Sequence, residues 1–441
     1  MTRIGVARMR AGEWNTMRTH SRKLVVLATT GATMAALALA GCSSDDGGAD
    51  DGPATVPMWV RAATATQSQA LVDAYNASHD DQIDLTVVPT DNYLQKVGVA
   101  AGSNQLPCLM ASDVVYMPNF VTKNLYLDIT DRVEALDFAD QLAQGHLSLA
   151  SQDGTIYGVP HNVSVSAIFQ NDVLLEQAGI DPTAPLESLK QLAENAAKVA
   201  ALGSDISGLY FTGNNAGSIS FTHFPAIWAS GGEALSEDGT ESLLDSDEAV
   251  AVFEIFNEMY QAGSVPETVP NESGATRNEV FATGKVGYMI ASNSVLETVP
   301  ETDALKIGVQ AIPGVDGGES AYVGGDAIGI TASCDNPDAA WDFLEWSLGE
   351  EGQIDVFAQM NQLTVRADLA DNEYASADPR VVRLNELVGI GDTPKALNYG
   401  QTFNDPNGPA LSVFRDALFG ADAAAALAAG NDAISASLAA Q

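Results

Sequence analysis

Val56-Pro57-Met58-Trp59-Val60 and the alternating segment Ile83-Asp84-Leu85-Thr86-Val87 decide the predicted fold, because each has the pattern of a β-strand. Gln67–Ser78, between them, places its apolar residues on one face of a predicted helix. A helix at Tyr93–Ala101 and a strand at Leu109–Tyr116 continue the alternation. Strands that alternate with short helices predict an α/β fold with a largely parallel sheet, whose ligands bind beyond the carboxyl ends of the strands.

The remaining elements extend this α/β pattern towards the C-terminus. Roughly 400 residues exceed one ordinary hydrophobic core, so two domains or lobes are expected. The further predicted elements are strands at Gly284–Ala291 and Ala327–Ala332 and helices at Asn171–Gly179, Glu187–Ala201, Asp247–Ala262 and Pro337–Leu348.

The first 42 residues have the features of a secretory leader. Arg18, Arg22 and Lys23 precede the apolar run Leu24–Ala40, and the run ends at Leu39-Ala40-Gly41-Cys42. These four residues resemble a bacterial lipobox, in which the cysteine is acylated and the peptide is cut before it. The following polar, glycine-rich stretch predicts a flexible tether, and translation from Met17 would give a more compact leader than translation from Met1.

The composition limits the partners of the chain. Residues 1–41 contain six of the 20 Lys and Arg residues and one of the 58 Asp and Glu residues, so the chain from Cys42 has 14 basic and 57 acidic residues, a formal net charge of −43. Nucleic acid is therefore not expected as a partner. An anionic small ligand is also disfavoured, although one local arginine could overrule the global charge.

The cysteines and histidines point to no catalytic or metal centre. Cys108 and Cys334 remain after Cys42, and from the sequence alone a disulfide and two buried free thiols are nearly equal alternatives. No zinc-protease, phosphate-loop or nucleophile-elbow motif is present, and we expect no metal or cofactor and no enzymatic activity. None of the five histidines, His20, His79, His146, His161 and His223, has the spacing of metal ligands.

Short motifs in a fixed order resemble the extracellular solute-binding proteins of ABC importers, in particular the family of maltose-type and other sugar binders. Each motif is weak alone, and their joint order carries the resemblance. The motifs are Trp59, Tyr93-Leu94-Gln95-Lys96, Gly154–Pro160 with Phe169-Gln170-Asn171-Asp172, Ala229-Ser230-Gly231-Gly232, Phe281–Gly287, Ile312-Pro313-Gly314, Gly324-Gly325-Asp326 and Ala339–Leu344. Relatives usually have Pro-Asp where this chain has Pro107-Cys108.

The resemblance implies a two-lobed, periplasmic-binding-protein-like (type II) fold with a ligand cleft between the lobes. It places the crossings between lobes near Asn162–Ser166, Tyr322–Ala327 and Thr364–Asp371, and it sets Cys334 beside Cys108 as a disulfide. The expected divisions are 1–41 signal peptide, 42–53 tether, 54–162 with 327–366 first lobe, and 163–326 with 367–441 second lobe.

Sugar recognition needs an apolar platform and neutral hydrogen-bonding groups. Trp59 and Trp228 are candidate platforms, with core packing as the alternative, and the Asp113 carboxylate can accept two hydroxyls. Asn214 and Asn215 could instead form a turn, and Arg366 could instead pair with a structural carboxylate. By family analogy the ligand set also includes Asn293, Asp326, Arg366, Asn404 and Asn407.

The expected function is capture of an oligosaccharide or related polyol outside the membrane and its delivery to the transmembrane subunits of an ABC importer. The protein is expected to be monomeric and attached to the membrane only by its lipid. The alternatives are a secreted glycoside-acting enzyme, a binding protein for a non-sugar solute, and a surface adhesion module. The sequence does not identify the sugar.

Overall fold

One mixed β-sheet extends through the computed structural model of the protein, which describes residues 52–89 and 92–440. The leader, Cys42 and most of the tether lie outside the described residues. The strands are β1 Thr55–Arg61, β2 Gln82–Val88, β3 Leu109–Asp113, β4 Ser151–Gln152, β5 Thr155–Ile156, β6 Val159–Asn171, β7 Ser207–Tyr210, β8 Val286–Ser292, β9 Ile307–Gln310, β10 Ile312–Pro313, β11 Glu319–Ser320 and β12 Val323–Ile330.

Helices cover the sheet on its faces, as the alternation predicts. They are α1 Ala65–Ser78, α2 Tyr93–Gly102, α3 Met117–Thr122, α4 Thr130–Glu134, α5 Gln144–Leu149, α6 Asp172–Gln177, α7 Leu189–Ala200, α8 Ala216–Ala229, α9 Asp247–Gln261, α10 Arg277–Ala282, α11 Ser294–Thr298, α12 Pro337–Leu348, α13 Pro379–Ile390, α14 Pro409–Phe419 and α15 Ala423–Leu438. None of these helices is long and apolar enough to cross a membrane.

The strand order is β2-β1-β3-β12-β6-β8-β7, and we call the half from β2 to β12 the first lobe and the half from β6 to β7 the second lobe. β1 is parallel to β2 and β3 in the first lobe, and β7 is parallel to β8 in the second lobe. The 13-residue strand β6 joins the two lobes: its first half pairs with β12, and its second half pairs with β8 and β9. The α/β class is confirmed, but the sheet is mixed rather than largely parallel, because β12 and β6 run antiparallel to the strands beside them.

Strand β12 begins earlier than predicted, at Val323, because it pairs along β6 before it reaches β3. The register between β12 and β6 shifts at Asp326 and Ala327. Gly325 has a φ of +117°, and a Cβ there would lie 2.2 Å from the carbonyl oxygen of Asn162. Only glycine fits this close approach of two backbones.

The predicted disulfide between Cys108 and Cys334 is confirmed, with the two sulfur atoms 1.96 Å apart. Antiparallel pairing of Ile330 with Leu109 brings the end of β12 to the beginning of β3. The backbone of Thr331 donates a hydrogen bond to the carbonyl oxygen of Cys108 at 2.9 Å. The bridge therefore closes the antiparallel pair of strands at the end where β3 begins and β12 finishes.

Buried apolar side chains fill the space between sheet and helices in both lobes. Met58, Val60, Leu109 and Met110 are fully buried in the first lobe. The second lobe buries an aromatic cluster in which the His223 ring lies 4.2 Å from that of Phe256 and 5.0 Å from that of Phe211. This cluster fixes α8 and α9 against the sheet and so positions the loop that follows β7.

Candidate functional site

A triad of charged side chains occupies the carboxyl ends of strands β1 and β3. Arg61 ends β1, and its guanidinium lies 3.2 Å from the Asp113 carboxylate at the end of β3. Its Nε also donates to both carboxylate oxygens of Asp326, at 3.1 and 3.3 Å. Asp326 is opposite Asp113 in the β12–β3 register and accepts a further hydrogen bond from Thr64 at 3.0 Å. Strands β1, β3 and β12 therefore contribute one side chain each to this group, which we call the Arg61 triad.

Exposure distinguishes the two carboxylates of the triad. The Asp326 side chain is 0% exposed, whereas the Asp113 side chain is 26% exposed. Burial raises the pKa of Asp113, and the positive charge of Arg61 opposes that rise. Burial alone would lower the pKa of Arg61, but the two carboxylates outweigh burial and raise it. Asp113 is the member of the triad that a ligand can reach, while Arg61 and Asp326 fix its position.

The segment after β3 contacts the second lobe directly. Asn404 donates from Nδ2 to the hydroxyl of Tyr116 at 3.2 Å. Gly400 packs against the same ring, where a Cβ would lie 2.3 Å from Cε1 of Tyr116. The Asn404 side-chain oxygen faces Gly217 in the first turn of α8, where a Cβ would lie 2.3 Å from it. Tyr116 and Asn404 thus form a polar contact between the lobes near Asp113.

Aromatic side chains line the adjoining surface of the second lobe. The rings of Trp228 and Tyr322 are 5.8 Å apart, and those of Phe221 and Tyr322 are 5.0 Å apart. The Tyr322 hydroxyl donates to that of Tyr399 at 3.1 Å. Trp228 and Phe221 are half-buried, so part of each ring is accessible. Such a group offers an apolar platform with a polar margin.

Polar residues also gather at the carboxyl ends of β7 and β8. Thr212, Asn214 and Asn215 follow β7, and Ser292 ends β8. Asn215 caps α8 by accepting from the backbone of Ser218 at 2.8 Å. Asn214 accepts from Arg415 at 3.0 Å. The parallel strands of both lobes therefore end in polar residues, where ligands of α/β sheets bind.

No metal centre accompanies this arrangement within residues 52–89 and 92–440. No three His, Cys, Asp or Glu side chains in these ranges are grouped so that they could hold a metal ion. Arg61, rather than a cation from solution, neutralises the carboxylates of the triad. The described site offers hydrogen-bonding groups and aromatic faces, which suit the binding of a polar organic molecule.

Comparison with known proteins identifies the family. The family model of the bacterial extracellular solute-binding proteins matches residues 70–382, which is most of the chain. The chain belongs to this family. The predicted resemblance to solute-binding proteins is confirmed, and the family consists of binding proteins with an extracellular or periplasmic location.

Two relatives of this solute-binding protein carry names that state their ligands. The diacetylchitobiose binding protein DasA of Streptomyces coelicolor is 24% identical over 404 residues, 88% of this chain and 92% of the relative. The arabinooligosaccharide-binding protein of Halalkalibacterium halodurans is 22% identical over 335 residues, 71% of this chain and 72% of the relative.

Solved structures of sugar-binding proteins share the fold. The cyclic alpha-maltosyl-1,6-maltose binding protein of Arthrobacter globiformis superposes with a TM-score of 0.75 at 22% identity, covering 88% of this chain and 100% of that chain. MalE of Xanthomonas citri gives a TM-score of 0.76 at 17% identity, covering 87% and 97%. These likenesses establish the two-lobed fold of this solute-binding protein.

Some predicted site residues lie together in the solute-binding protein. Asp113 and Asp326 share Arg61, Asn404 lies against Tyr116, and Trp228 lies against Tyr322. Asn214 and Asn215 lie in the loop after β7, and Asn293 accepts a hydrogen bond from the backbone of Val165 at 3.0 Å, where β6 passes between the lobes.

Other predicted site residues have local partners instead. The Trp59 ring lies under the Lys96 ammonium, which is 3.9 Å from the ring centre. Arg366 is 6% exposed and donates to both oxygens of Asp368, and its guanidinium stacks 3.8 Å above the Phe138 ring. Asn407 is exposed and donates to Asp405 in its own loop at 3.2 Å. These three residues form no hydrogen bond or ion pair with the Arg61 triad.

The sequence interpretation did not include Arg61, Tyr116 or Tyr322 in the site. A signal for Arg61 was present, since it is a basic residue at the carboxyl end of a predicted strand in a strongly acidic chain. Tyr116 follows Asp113 by three residues and has no distinguishing pattern. Tyr322 depends on Trp228 and Tyr399, which are distant in sequence, so the sequence gives no comparable signal for it.

Proposed function

We propose that the protein is a lipid-anchored receptor on the outer face of the cytoplasmic membrane that captures an oligosaccharide or related polyol. It delivers the ligand, as a monomer, to the transmembrane subunits of an ABC importer. Its family supports the receptor role. The named ligands of DasA and the arabinooligosaccharide-binding protein support the choice of a carbohydrate.

One observation carries the proposal: Asn404 contacts Tyr116, three residues beyond Asp113, and Trp228 packs on Tyr322, next to the start of β12. The first lobe supplies the accessible carboxylate of Asp113, and the second lobe supplies the half-buried ring of Trp228 and the amide of Asn404. A sugar ring presents hydroxyls at its margin and C–H groups on its faces, and these match a carboxylate and an indole.

The same geometry argues against the hydrolysis of glycosides. Glycosidases use one carboxyl as an acid and another as a nucleophile or base. In this protein Asp113 and Asp326 both bind Arg61, and Asp326 is fully buried. Neither is placed to protonate a leaving group while the other attacks, so we expect binding without cleavage.

Thermal unfolding with a carbohydrate panel tests the proposal. A ligand at 100 times its Kd stabilises a protein by about 2.7 kcal/mol, which raises the Tm visibly. Asp113→Ala and Trp228→Ala should each weaken sugar binding by about 1–3 kcal/mol, measured by calorimetry. Asp338→Ala, at a side chain that is 87% exposed in a surface ion pair, is the matched control for Asp113.

The outcomes separate the candidate functions. A shift with peptides or amines but with no carbohydrate would make the substrate class wrong and leave the receptor role. Release of cleaved sugar from a glycan would contradict the binding-protein role. Unchanged affinity in both Asp113→Ala and Trp228→Ala would remove these two residues from the site.

A further inference from the structure

Thr212, Arg277 and Ser292 form a polar cluster, which we call the Arg277 cluster, on the second lobe. Thr212 lies two residues beyond β7, Ser292 is the last residue of β8, and Arg277 begins α10. β7 and β8 are parallel, so the cluster lies at their common carboxyl edge. Asn214 and Asn215 belong to the same loop as Thr212.

Arg277 differs from the other described arginines because it has neither a carboxylate nor a carbonyl oxygen as a partner. Of the seven arginines that the structure describes, five have a carboxylate oxygen within 4.0 Å, namely Arg61, Arg132, Arg366, Arg380 and Arg383. Arg415 instead donates to carbonyl oxygens and to Asn214. Arg277 has only the Ser292 hydroxyl, at 3.3 Å, among the described residues.

Two buried polar atoms of the cluster lack a partner in the described part of the chain. They are Nε of Arg277 and Oγ1 of Thr212, and the Thr212 side chain is 0% exposed. Gly274 lies beside them, since a Cβ there would be 3.5 Å from Thr212 Oγ1 and 3.9 Å from Arg277 Nη1. A buried donor without a partner is costly unless another molecule supplies the acceptor.

Glu272 is the acid whose charge acts on Arg277, but its oxygens are bonded elsewhere. It accepts from the Tyr210 hydroxyl at 3.1 Å, the Gly274 backbone at 2.7 Å, and the backbone and hydroxyl of Thr276 at 3.3 and 2.6 Å. Burial lowers the pKa of Arg277, and Glu272 offsets this only in part. Arg277 thus remains a guanidinium with several donors that no described residue satisfies.

We propose that the Arg277 cluster binds an anionic oxygen group, a carboxylate or a phosphate, carried by the sugar ligand. The proposal rests on the carbohydrate function and names a subclass of substrate within it. A planar guanidinium matches such groups through two parallel hydrogen bonds, and the hydroxyls of Thr212 and Ser292 can add donors. One arginine at the carboxyl ends of β7 and β8 then attracts an anionic group despite the net negative charge of the chain.

Calorimetry on the chain from Gly52, which forms one compact unit, tests this with two matched pairs of ligands. The first pair is a glucuronate-containing disaccharide and its methyl ester, and the second is a disaccharide phosphate and the unphosphorylated disaccharide. The wild-type protein should bind one acidic member about tenfold to a hundredfold more tightly than its neutral partner. The two pairs distinguish a carboxylate from a phosphate.

Substitutions then test which residues cause the preference for the acidic ligand. Arg277→Gln should abolish the preference for the acidic member, and Arg277→Lys should retain part of it. Thr212→Val should reduce it. Arg383→Gln is the matched control, because Arg383 lies in the second lobe with its own carboxylates, Glu319 and Glu386. This variant should retain the wild-type preference.

The results also separate this inference from the general function. Binding of neutral sugars with no gain for either acidic member would overturn the inference and leave the carbohydrate function standing. A preference that survives in Arg277→Gln would equally overturn it. If no member of either pair binds, both proposals fail. The Tm of each variant without ligand shows whether a loss of binding reflects unfolding.

Discussion

Replacement of Asp326 by asparagine tests how much the Arg61 triad stabilises the sheet that the two lobes share. The Asp326 carboxylate is 0% exposed and accepts from Arg61 Nε at 3.1 and 3.3 Å and from Thr64 at 3.0 Å. Removal of one partner from a buried ion pair costs about 3–5 kcal/mol. The asparagine oxygen can still accept from Thr64, and Arg61 retains Asp113, so we expect the free energy of unfolding to fall by about 3 kcal/mol.

Urea unfolding followed by tryptophan fluorescence measures this change in the free energy of unfolding. Asp338→Asn is the control, because Asp338 is 87% exposed in its pair with Arg132 and a surface ion pair contributes at most about 1 kcal/mol. The triple variant Arg61→Met, Asp113→Asn and Asp326→Leu, which leaves no charge of the triad unpaired, should recover more than half of the loss, since uncharged side chains can replace a buried ionic group. A loss in Asp326→Asn no larger than in Asp338→Asn would refute the reasoning.

Three further predictions concern stability and anchoring. Loss of the disulfide in Cys108→Ala with Cys334→Ala, which opens a loop of 226 residues, should lower the free energy of unfolding by up to about 5 kcal/mol, and an unchanged urea midpoint would contradict this. Burial lowers the pKa of His223 to about 3, below its ordinary 6.5, so its neutral form stabilises the fold above that ordinary value. This contribution should fall by about 1.4 kcal/mol per pH unit between roughly pH 6 and 4, and it adds to those of His146 and His161, whose pKa burial lowers to about 4. His223→Phe should therefore reduce the slope of pH-dependent urea unfolding by about 1.4 kcal/mol per pH unit. Cys42→Ala should release the protein from membrane fractions after cell breakage, and continued sedimentation with membranes would make the lipobox interpretation wrong.

The sequence predicted the elements whose stabilising contacts are local. Gln67–Ser78 and Asp247–Ala262 have apolar residues at helical spacing, and both form helices, at Ala65–Ser78 and Asp247–Gln261. The predicted strand Leu109–Tyr116 is shorter, because the Asp113 side chain accepts from the backbone of Val115 at 3.3 Å and begins a helical turn there. Boundaries depend on such caps, which a hydrophobic pattern does not describe.

The site was harder to predict because its residues are paired across long sequence separations. Arg61 and Asp326 are 265 residues apart, and Tyr116 and Asn404 are 288 residues apart. Composition and periodicity give no information about such pairs. Family resemblance supplied Asp326 and Asn404, but it gave no reason to choose Arg61, which binds two of the charged groups in the site.

The position of β12 in the sheet has a consequence for the order in which the chain can fold during its synthesis. The strands of the second lobe, from β6 to β9, lie within residues 159–310, so this part can pair as soon as it has emerged. The first lobe must wait for β12, which separates β3 from β6. At about 5–20 residues per second, the 226 residues between Cys108 and Cys334 take roughly 10–45 s to appear. Throughout that interval β3 has an unpaired edge and Cys108 has a free thiol, so the disulfide of the first lobe can form only after the strands of the second lobe have been made.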